Sequence, residues 1–513
     1  MQLSSQEALV LLREHNLLVK VVHNQSFTAS DVHYDSRRVT PGSLFFCKGR
    51  TKPEYLASAR QKGAVAYVAP QEDAAGGDLP GIIVNNEDKA MALLSAAFFG
   101  FPQDQLFLVG ITGTKGKTTM AYFAYDALRN QEGKQVALLS TVNSVLGPKP
   151  TDTFKSALTT PESLDLFRDM RRAVDNGMDH MVMEVSSQAY LRNRVYGLKF
   201  DVGIFLNIFP DHIGRNEHPN FANYQFCKEQ LMVNSRRCII NADDPHFADF
   251  YAAAKSTTDP EKIFVFGRPT ENGDVPLDFS YQNDGENLHG SHFNLQALSA
   301  RAKALAVAGD YHVDIAGDYN EGNATAAIIT SGIAGAQPAA IAAALEHTRI
   351  PGRMDMLTTK HHGTVYIDYA HDYISVKRLV AFLRQQTHVS GRVIVLLGAT
   401  GDKGISRREG FGKALSEEKA DVAILTTDDP GFEDPKKIDQ EIDSYIDHSR
   451  VGKVEYIMDR QKAIEHAIAN STPDDIVVLA GKGDDHFQKI KGANVPYPSD
   501  ITVATETIKK LEK

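Results

Sequence analysis

From residue 105 onward, short apolar runs alternate with stretches of helical spacing. QLFLVGITG, QVALLST, DHMVMEVSS, DVGIFLNIF and RCIINAD make one series. After residue 357 come TVYIDYA, RVIVLLGAT, DVAILTTDD, KVEYIMD and DIVVLAGKG. Parallel strands need long crossovers, usually helical, so this alternation commits the chain to parallel sheets covered by helices. RIPGRMDML interrupts it with Pro351 and Gly352 and divides the two series. Before residue 100 the texture differs: SLFFCKG and AVAYVAP read as short strands around a helix, YLASARQKG, and GFPQDQ reads as a linker. The expected architecture is α/β in three domains: a small mixed domain (1–102), a central parallel-sheet domain of P-loop type (103–348), and a Rossmann-like domain (349–513).

A chain of 513 residues is too long for one core. Its 65 acidic and 55 basic side chains leave a net charge of -10, which argues against a nucleic-acid-binding surface over the whole molecule. Cys47, Cys227 and Cys238 are odd in number, scattered and without metal spacing, so reduced thiols in cytoplasm fit. The N-terminus reads as an amphipathic helix rather than a signal peptide. No apolar run approaches the roughly 20 residues of a membrane span; a cytoplasmic location and a monomer are the expectations.

Residues 110–119, GITGTKGKTT, sit between an apolar run and a helical stretch. Glycines let backbone N–H groups turn toward an anion, and a helix start behind them adds about half a positive charge. Gly113, Thr114, Gly116 and Thr119 would form the cradle, Lys117 would neutralise phosphate oxygens, and Thr118 would hold Mg²⁺. Lys115 is either solvated or near a distal phosphate. The usual nucleotide loop keeps four residues between its glycines; here there are two, and an ordinary tight turn is the alternative. Glu184, ending HMVMEV, is a hard oxygen ligand where parallel sheets bind ligands; a buried structural glutamate is the alternative. His212, in FPDHIG, is a metal or phosphate ligand, or a surface histidine beside a capping Asp211. Lys228, in NFANYQFCKEQL, reads by itself as a solvated lysine.

TGTKGKTT, EVSS, the DH segment, PGR and DYAH together resemble the ATP-dependent Mur ligases, along the whole chain. DSRRVTPGSLFF at 35–46 and TTP at 159–161 resemble, within that family, the MurE type, which adds the third amino acid to UDP-N-acetylmuramoyl-L-alanyl-D-glutamate. The resemblance implies a UDP-binding first domain, a central ATPase domain, and ATP spent to make an acyl phosphate with two Mg²⁺ ions. It implies that Lys228 is carbamylated and joins Thr118, Glu184 and His212 in holding metal. It assigns Asn320 and Asn323, which share one helical face at i and i+3, to nucleotide contacts, although Asn320 could instead cap the helix. Arg353 in PGR and Asp368 in DYAH would reach ATP by domain closure, with His371 shaping that loop.

The same resemblance places uridine at Ser36, between Asp35 and Arg37, and the muramoyl-peptide at Thr159, Thr160, Ser186, Arg192 and Arg194. Arg192 stands where a glutamine is usual. Family members that use meso-diaminopimelate share Asp-Asn-Pro-Arg, whose arginine binds the distal carboxylate; here the residues are Asp428-Asp429-Pro430-Gly431. An unpaired substrate carboxylate costs on the order of 1–3 kcal/mol, so a cationic tail is expected, L-lysine first and L-ornithine close behind. Asp485 takes the place of a glutamate near the substrate amine. Lys403 stands where an arginine usually holds the α-carboxylate, with Arg407 or Arg408 as substitutes. A solvated DDPGFEDP turn, another ligase of the superfamily, and a nucleotide-binding regulator are the competing readings.

Overall fold

The apolar runs form three separate sheets. The computed structural model describes every residue except 50, 132, 215–216, 270–275, 288–289, 316, 318, 388–389, 403 and 513. The first sheet has the order Leu18–Val22, Gly81–Val84, Ala66–Ala69, Ser43–Phe46, Asp31–His33. It is parallel except for Leu18–Val22. The expected helix appears as Pro53–Gln61, with Pro53 at its first position, where the missing N–H costs nothing.

The largest sheet runs Thr153–Lys155, Asn143–Val145, Val136–Leu139, His180–Glu184, Phe107–Thr112, Val202–Phe205, Cys238–Asn241, Ile263–Gly267, then Phe279–Asn287, Gly290–Ala297 and Gly309–Val313. The six strands from Val136–Leu139 to Ile263–Gly267 are parallel and almost wholly buried, which is why each reads as a continuous apolar run. Phe107–Thr112 comes first of these six in sequence and lies third among them in space. The chain passes to one side of it and then to the other, so a crevice opens beyond its carboxyl end.

The third sheet has the order Asp355–Leu357, Thr364–Asp368, Ile476–Ala480, Val393–Leu397, Val422–Leu425, Lys453–Tyr456, parallel except at Asp355–Leu357.

Residues 1–282, 293–311 and 321–346 form one compact unit; residues 283–292, 312–320 and 347–513 form a second. In the first unit, Leu3, Phe46 and Phe98 share a core with Leu108, Met181 and Phe205. GFPQDQ is correspondingly no loose linker: Gly100 and Phe101 take left-handed backbone angles, and Pro102 is buried at the start of a short 3-10 turn, Pro102–Gln105. Among the described residues, no helix is long and apolar enough to cross a membrane.

In the second unit the Arg460 guanidinium and the Asp500 carboxylate form two hydrogen bonds of 2.8 and 2.7 Å with both side chains fully buried. Asp500 also accepts the Tyr497 hydroxyl at 2.6 Å. Removing one partner of such a pair strands the other charge. Asp500→Ala should therefore destabilise the second unit by about 3–5 kcal/mol, read as a lower midpoint in chemical denaturation.

Candidate active site

The strand Phe107–Thr112 delivers Gly113-Thr114-Lys115-Gly116 to the start of the helix Lys117–Arg129. Gly116 caps that helix with φ +84°, and a Cβ there would lie 2.4 Å from Asn323 Oδ1. Only glycine meets both demands. Asn207, at the carboxyl end of the neighbouring strand, clasps the loop: its Oδ1 accepts from Lys115 N at 3.0 Å and its Nδ2 donates to Lys115 O at 3.1 Å. The Thr114 hydroxyl lies 3.0 Å from the Tyr224 hydroxyl. Thr119 is buried within the first turn. Lys117 folds back so that Nζ donates to Gly113 O at 2.8 Å and Thr114 O at 3.2 Å. The loop and its lysine thus meet at the Gly113 and Thr114 carbonyls, at the N-terminus of the helix Lys117–Arg129.

Glu184, buried at the end of His180–Glu184, accepts the Thr118 hydroxyl at 2.9 Å, the Thr141 N–H at 2.7 Å and the Thr141 hydroxyl at 3.1 Å. This carboxylate ties the phosphate loop to the threonines. The Thr141 and Thr159 hydroxyl oxygens lie 3.0 Å apart, and Thr160 donates to the Glu184 carbonyl at 2.9 Å while accepting from Ser186 N at 3.0 Å. Arg194 forks Glu162 with bonds of 3.1 and 2.8 Å, and Lys48 reaches the same carboxylate at 2.5 Å. Thr159, Thr160, Ser186 and Arg194 are therefore brought together. Arg192 is exposed at the end of the helix Ser187–Leu191. Ser36 is buried, its carbonyl accepting from Lys62 Nζ at 2.9 Å, while Arg37 pairs with Asp35 at 2.8 Å.

Lys228 overturns the solvated reading. In Phe221–Val233 the buried positions Tyr224, Cys227, Lys228, Leu231 and Met232 form one stripe, and Lys228 lies in its middle. Its Nζ donates to Gly113 O at 2.6 Å, the carbonyl that also receives Lys117. Burial and then the neighbouring Lys117 charge push the Lys228 pKa well below the usual lysine value. Thr118 and Glu184 are bonded to each other, but the Nδ1 of the half-exposed His212 lies 3.0 Å from Glu217. Among the described residues, no three His, Cys, Asp or Glu side chains converge as a metal cluster. The Glu184 carboxylate beside the Thr118 hydroxyl is a hard-oxygen pair that fits Mg²⁺ completing its shell with phosphate and water.

Asn320 and Asn323 are both buried in the first turns of Tyr319–Ile333. Asn320 follows the first helical residue, so it is not the cap. In the second unit, Asp368 closes Thr364–Asp368 and accepts from Met354 N at 2.9 Å and Ala370 N at 2.8 Å. The Arg353 guanidinium lies 5.1 Å over the Tyr369 ring, and His371 Nδ1 is 2.6 Å from the Tyr369 carbonyl. Asp428, Asp429 and Asp485 are brought together, around an unexpected partner: Lys482 Nζ lies 3.5, 2.6 and 3.7 Å from them. Arg408 is committed to Glu433 and Glu441 at 2.9 and 2.6 Å. Arg407 makes no ion pair among the described residues, and Lys403 lies outside them.

Sequence reasoning missed Asn207, Glu162, Lys482 and His218. Asn207 ends the apolar strand segment GIFLN at its ligand-binding end, which was a usable signal. Buried His218 joins Ser187 Oγ at 2.9 Å to Asn223 Oδ1 at 2.8 Å, and burial lowers its pKa.

Gly116→Ala should destabilise the first unit by about 1–3 kcal/mol or more, because left-handed strain adds to displacement of Asn323. Chemical denaturation will read it as a lower midpoint, and an unchanged midpoint contradicts the demand for glycine at this turn.

Residues 111–331 match the family model described as Mur ligase middle domain, and residues 352–483 match that described as Mur ligase, glutamate ligase domain. The UDP-N-acetylmuramyl-tripeptide synthetase of Limosilactobacillus reuteri is 60% identical over 517 aligned residues, covering 100% of both chains. The UDP-N-acetylmuramoyl-L-alanyl-D-glutamate--L-lysine ligase of Enterococcus faecalis is 48% identical over 483 residues, 93% of this chain and 91% of its own. A solved UDP-N-acetylmuramoyl-L-alanyl-D-glutamate--2,6-diaminopimelate ligase shares the fold, with a TM-score of 0.65 at 22% identity over 100% of both chains. With glycine loop, buried Glu184 and matched domains in accord, this chain belongs to the Mur ligase family.

Proposed function

We propose that this protein is an ATP-dependent ligase that joins L-lysine to UDP-N-acetylmuramoyl-L-alanyl-D-glutamate, with L-ornithine as the second-best amino acid. The observation that carries the substrate is the trio Asp428, Asp429 and Asp485 gathered around an alkylammonium ion, Lys482, in a segment with Gly431 where a carboxylate-binding arginine would stand. The name of the enterococcal relative agrees.

In this reading Lys117 and the N–H groups of residues 113–119 hold the ATP phosphates, with Asn320, Asn323, Arg353 and Asp368 as nucleotide contacts. Glu184 and Thr118 would hold Mg²⁺, with His212 and a carbamylated Lys228 as further ligands, two ions being expected. Bound metal would neutralise charge where the substrate carboxylate meets the γ-phosphoryl group. Thr159, Thr160, Ser186 and Arg194 orient the muramoyl-peptide, with Arg192 at their margin and Ser36 toward uridine. The amine then attacks the acyl phosphate, and phosphate leaves. Lys403 holds the amino-acid carboxylate, with Arg407 as its substitute, while Asp428 and Asp485 receive the cationic tail. The enzyme works as a cytoplasmic monomer.

Lys228 is suited to carbamylation because it is buried with its Nζ against Gly113 O, and burial and then the Lys117 charge lower its pKa, which favours the neutral amine relative to an exposed lysine. That amine adds to CO₂ and releases a proton, giving a carbamate. Protein equilibrated with ¹³C-bicarbonate should show one slowly exchanging carbamate carbon signal, absent from Lys228→Ala; its absence from the native protein removes this role.

Ligation assays with L-lysine, L-ornithine and meso-diaminopimelate in parallel test the substrate. The kcat/KM for L-lysine should exceed that for diaminopimelate by about 10–100-fold or more, the consequence of leaving a carboxylate unpaired. Preference for diaminopimelate would overturn the assignment.

A further inference from the structure

In the second unit, Lys482 follows the strand Ile476–Ala480 and is almost fully buried. Its ammonium faces three carboxylates, but only Asp429, at 2.6 Å, is within hydrogen-bond distance; Asp428 and Asp485 stand at 3.5 and 3.7 Å. Asp429 is anchored from a second side, since the same oxygen accepts the Lys489 N–H at 3.0 Å. The Phe487 ring lies 5.7 Å from the ammonium. Asp485 has its other oxygen 3.2 Å from the Tyr369 hydroxyl.

We propose that Asp429 sets amino-acid specificity by holding Lys482 rather than by touching the substrate, which leaves Asp428 and Asp485 to receive the cationic tail. The inference rests on the reading of this cluster as the amino-acid subsite. Lys482 itself shows the ligand class the cluster accepts, an ammonium on an alkyl chain. Charge bookkeeping supplies the rest. Three carboxylates and one ammonium carry a net charge of -2 among themselves, and neutralising Asp429 takes that to -1. With a neutral side chain at 429, the buried ammonium cannot stay unpaired and must turn to Asp428 or Asp485. The cluster then presents one negative charge fewer to an incoming cation, and the carboxylate facing the substrate is shared with Lys482. Burial works to discharge Lys482, but Asp428 and Asp429 outweigh it and raise its pKa, so the internal cation persists. Burial also raises the Asp428 pKa, against the pull of Lys482 and Arg460, which keeps that carboxylate dependent on its cationic neighbours.

The test uses the full-length protein and a double-mutant cycle. Asp429→Asn should raise the KM for L-lysine by about tenfold or more while leaving the KM for ATP within about twofold. Adding Lys482→Met to it should return the KM for L-lysine to within about threefold of the native value, because no internal cation then competes. If that double variant fails to fold, Asp429→Asn with Lys482→Gln carries the same expectation. A double variant as weak as Asp429→Asn, or an Asp429→Asn variant with native KM, would overturn the proposal. Native protein that ignores L-lysine would instead refute the substrate assignment itself, before any variant is made.

Discussion

Two lysine side chains share one carbonyl oxygen, that of Gly113. Lys117 reaches it from the first turn of the loop's own helix, at 2.8 Å, and Lys228 from the helix Phe221–Val233, at 2.6 Å. Burial and then the neighbouring Lys117 charge both disfavour the charged form of Lys228 and lower its pKa. The shared carbonyl lies just beyond the carboxyl end of Phe107–Thr112, at the crevice of the parallel sheet. Loop, lysines and the Glu184 carboxylate each hold the next in position.

Glu184 transmits that arrangement outward. Its side chain takes bonds from Thr118 in the phosphate loop and from Thr141, and Thr141 continues to Thr159. Its backbone carbonyl takes the Thr160 hydroxyl, and Thr160 in turn takes the Ser186 N–H. The start of the helix Lys117–Arg129 and the segments carrying Thr141, Thr159, Thr160 and Ser186 are thus registered through one residue. The second unit solves a related problem with the signs reversed: an internal ammonium, Lys482, draws Asp428, Asp429 and Asp485 into one cluster that would otherwise repel itself.

Much of this was legible in the chain. The apolar runs from QLFLVGITG to DIVVLAGKG become strands because a parallel sheet buried on both faces admits little else. The glycine loop is legible because a left-handed Gly116 and a following helix leave few other uses for that spacing. GFPQDQ misled, since Gly100 and Pro102 mark a tight packed turn as readily as a linker. Lys228 was readable as buried from its place between Tyr224 and Leu231, yet a lone lysine in a helix suggests solvent. The Asp429–Lys482 pair was out of reach, because 53 residues separate its members.

What the sequence by itself determined is the set of strands, the glycine turn between Phe107–Thr112 and Lys117–Arg129, and the residue types at Asp428–Gly431, all of which depend on local periodicity or on neighbours a few residues away. Tertiary structure alone decided that Lys228 meets Lys117 at Gly113, that His212 lies against Glu217, and that Lys482 enters the acidic cluster. Those outcomes depend on Coulomb interactions and desolvation, which act through space between groups distant in the chain and therefore leave no local pattern to read.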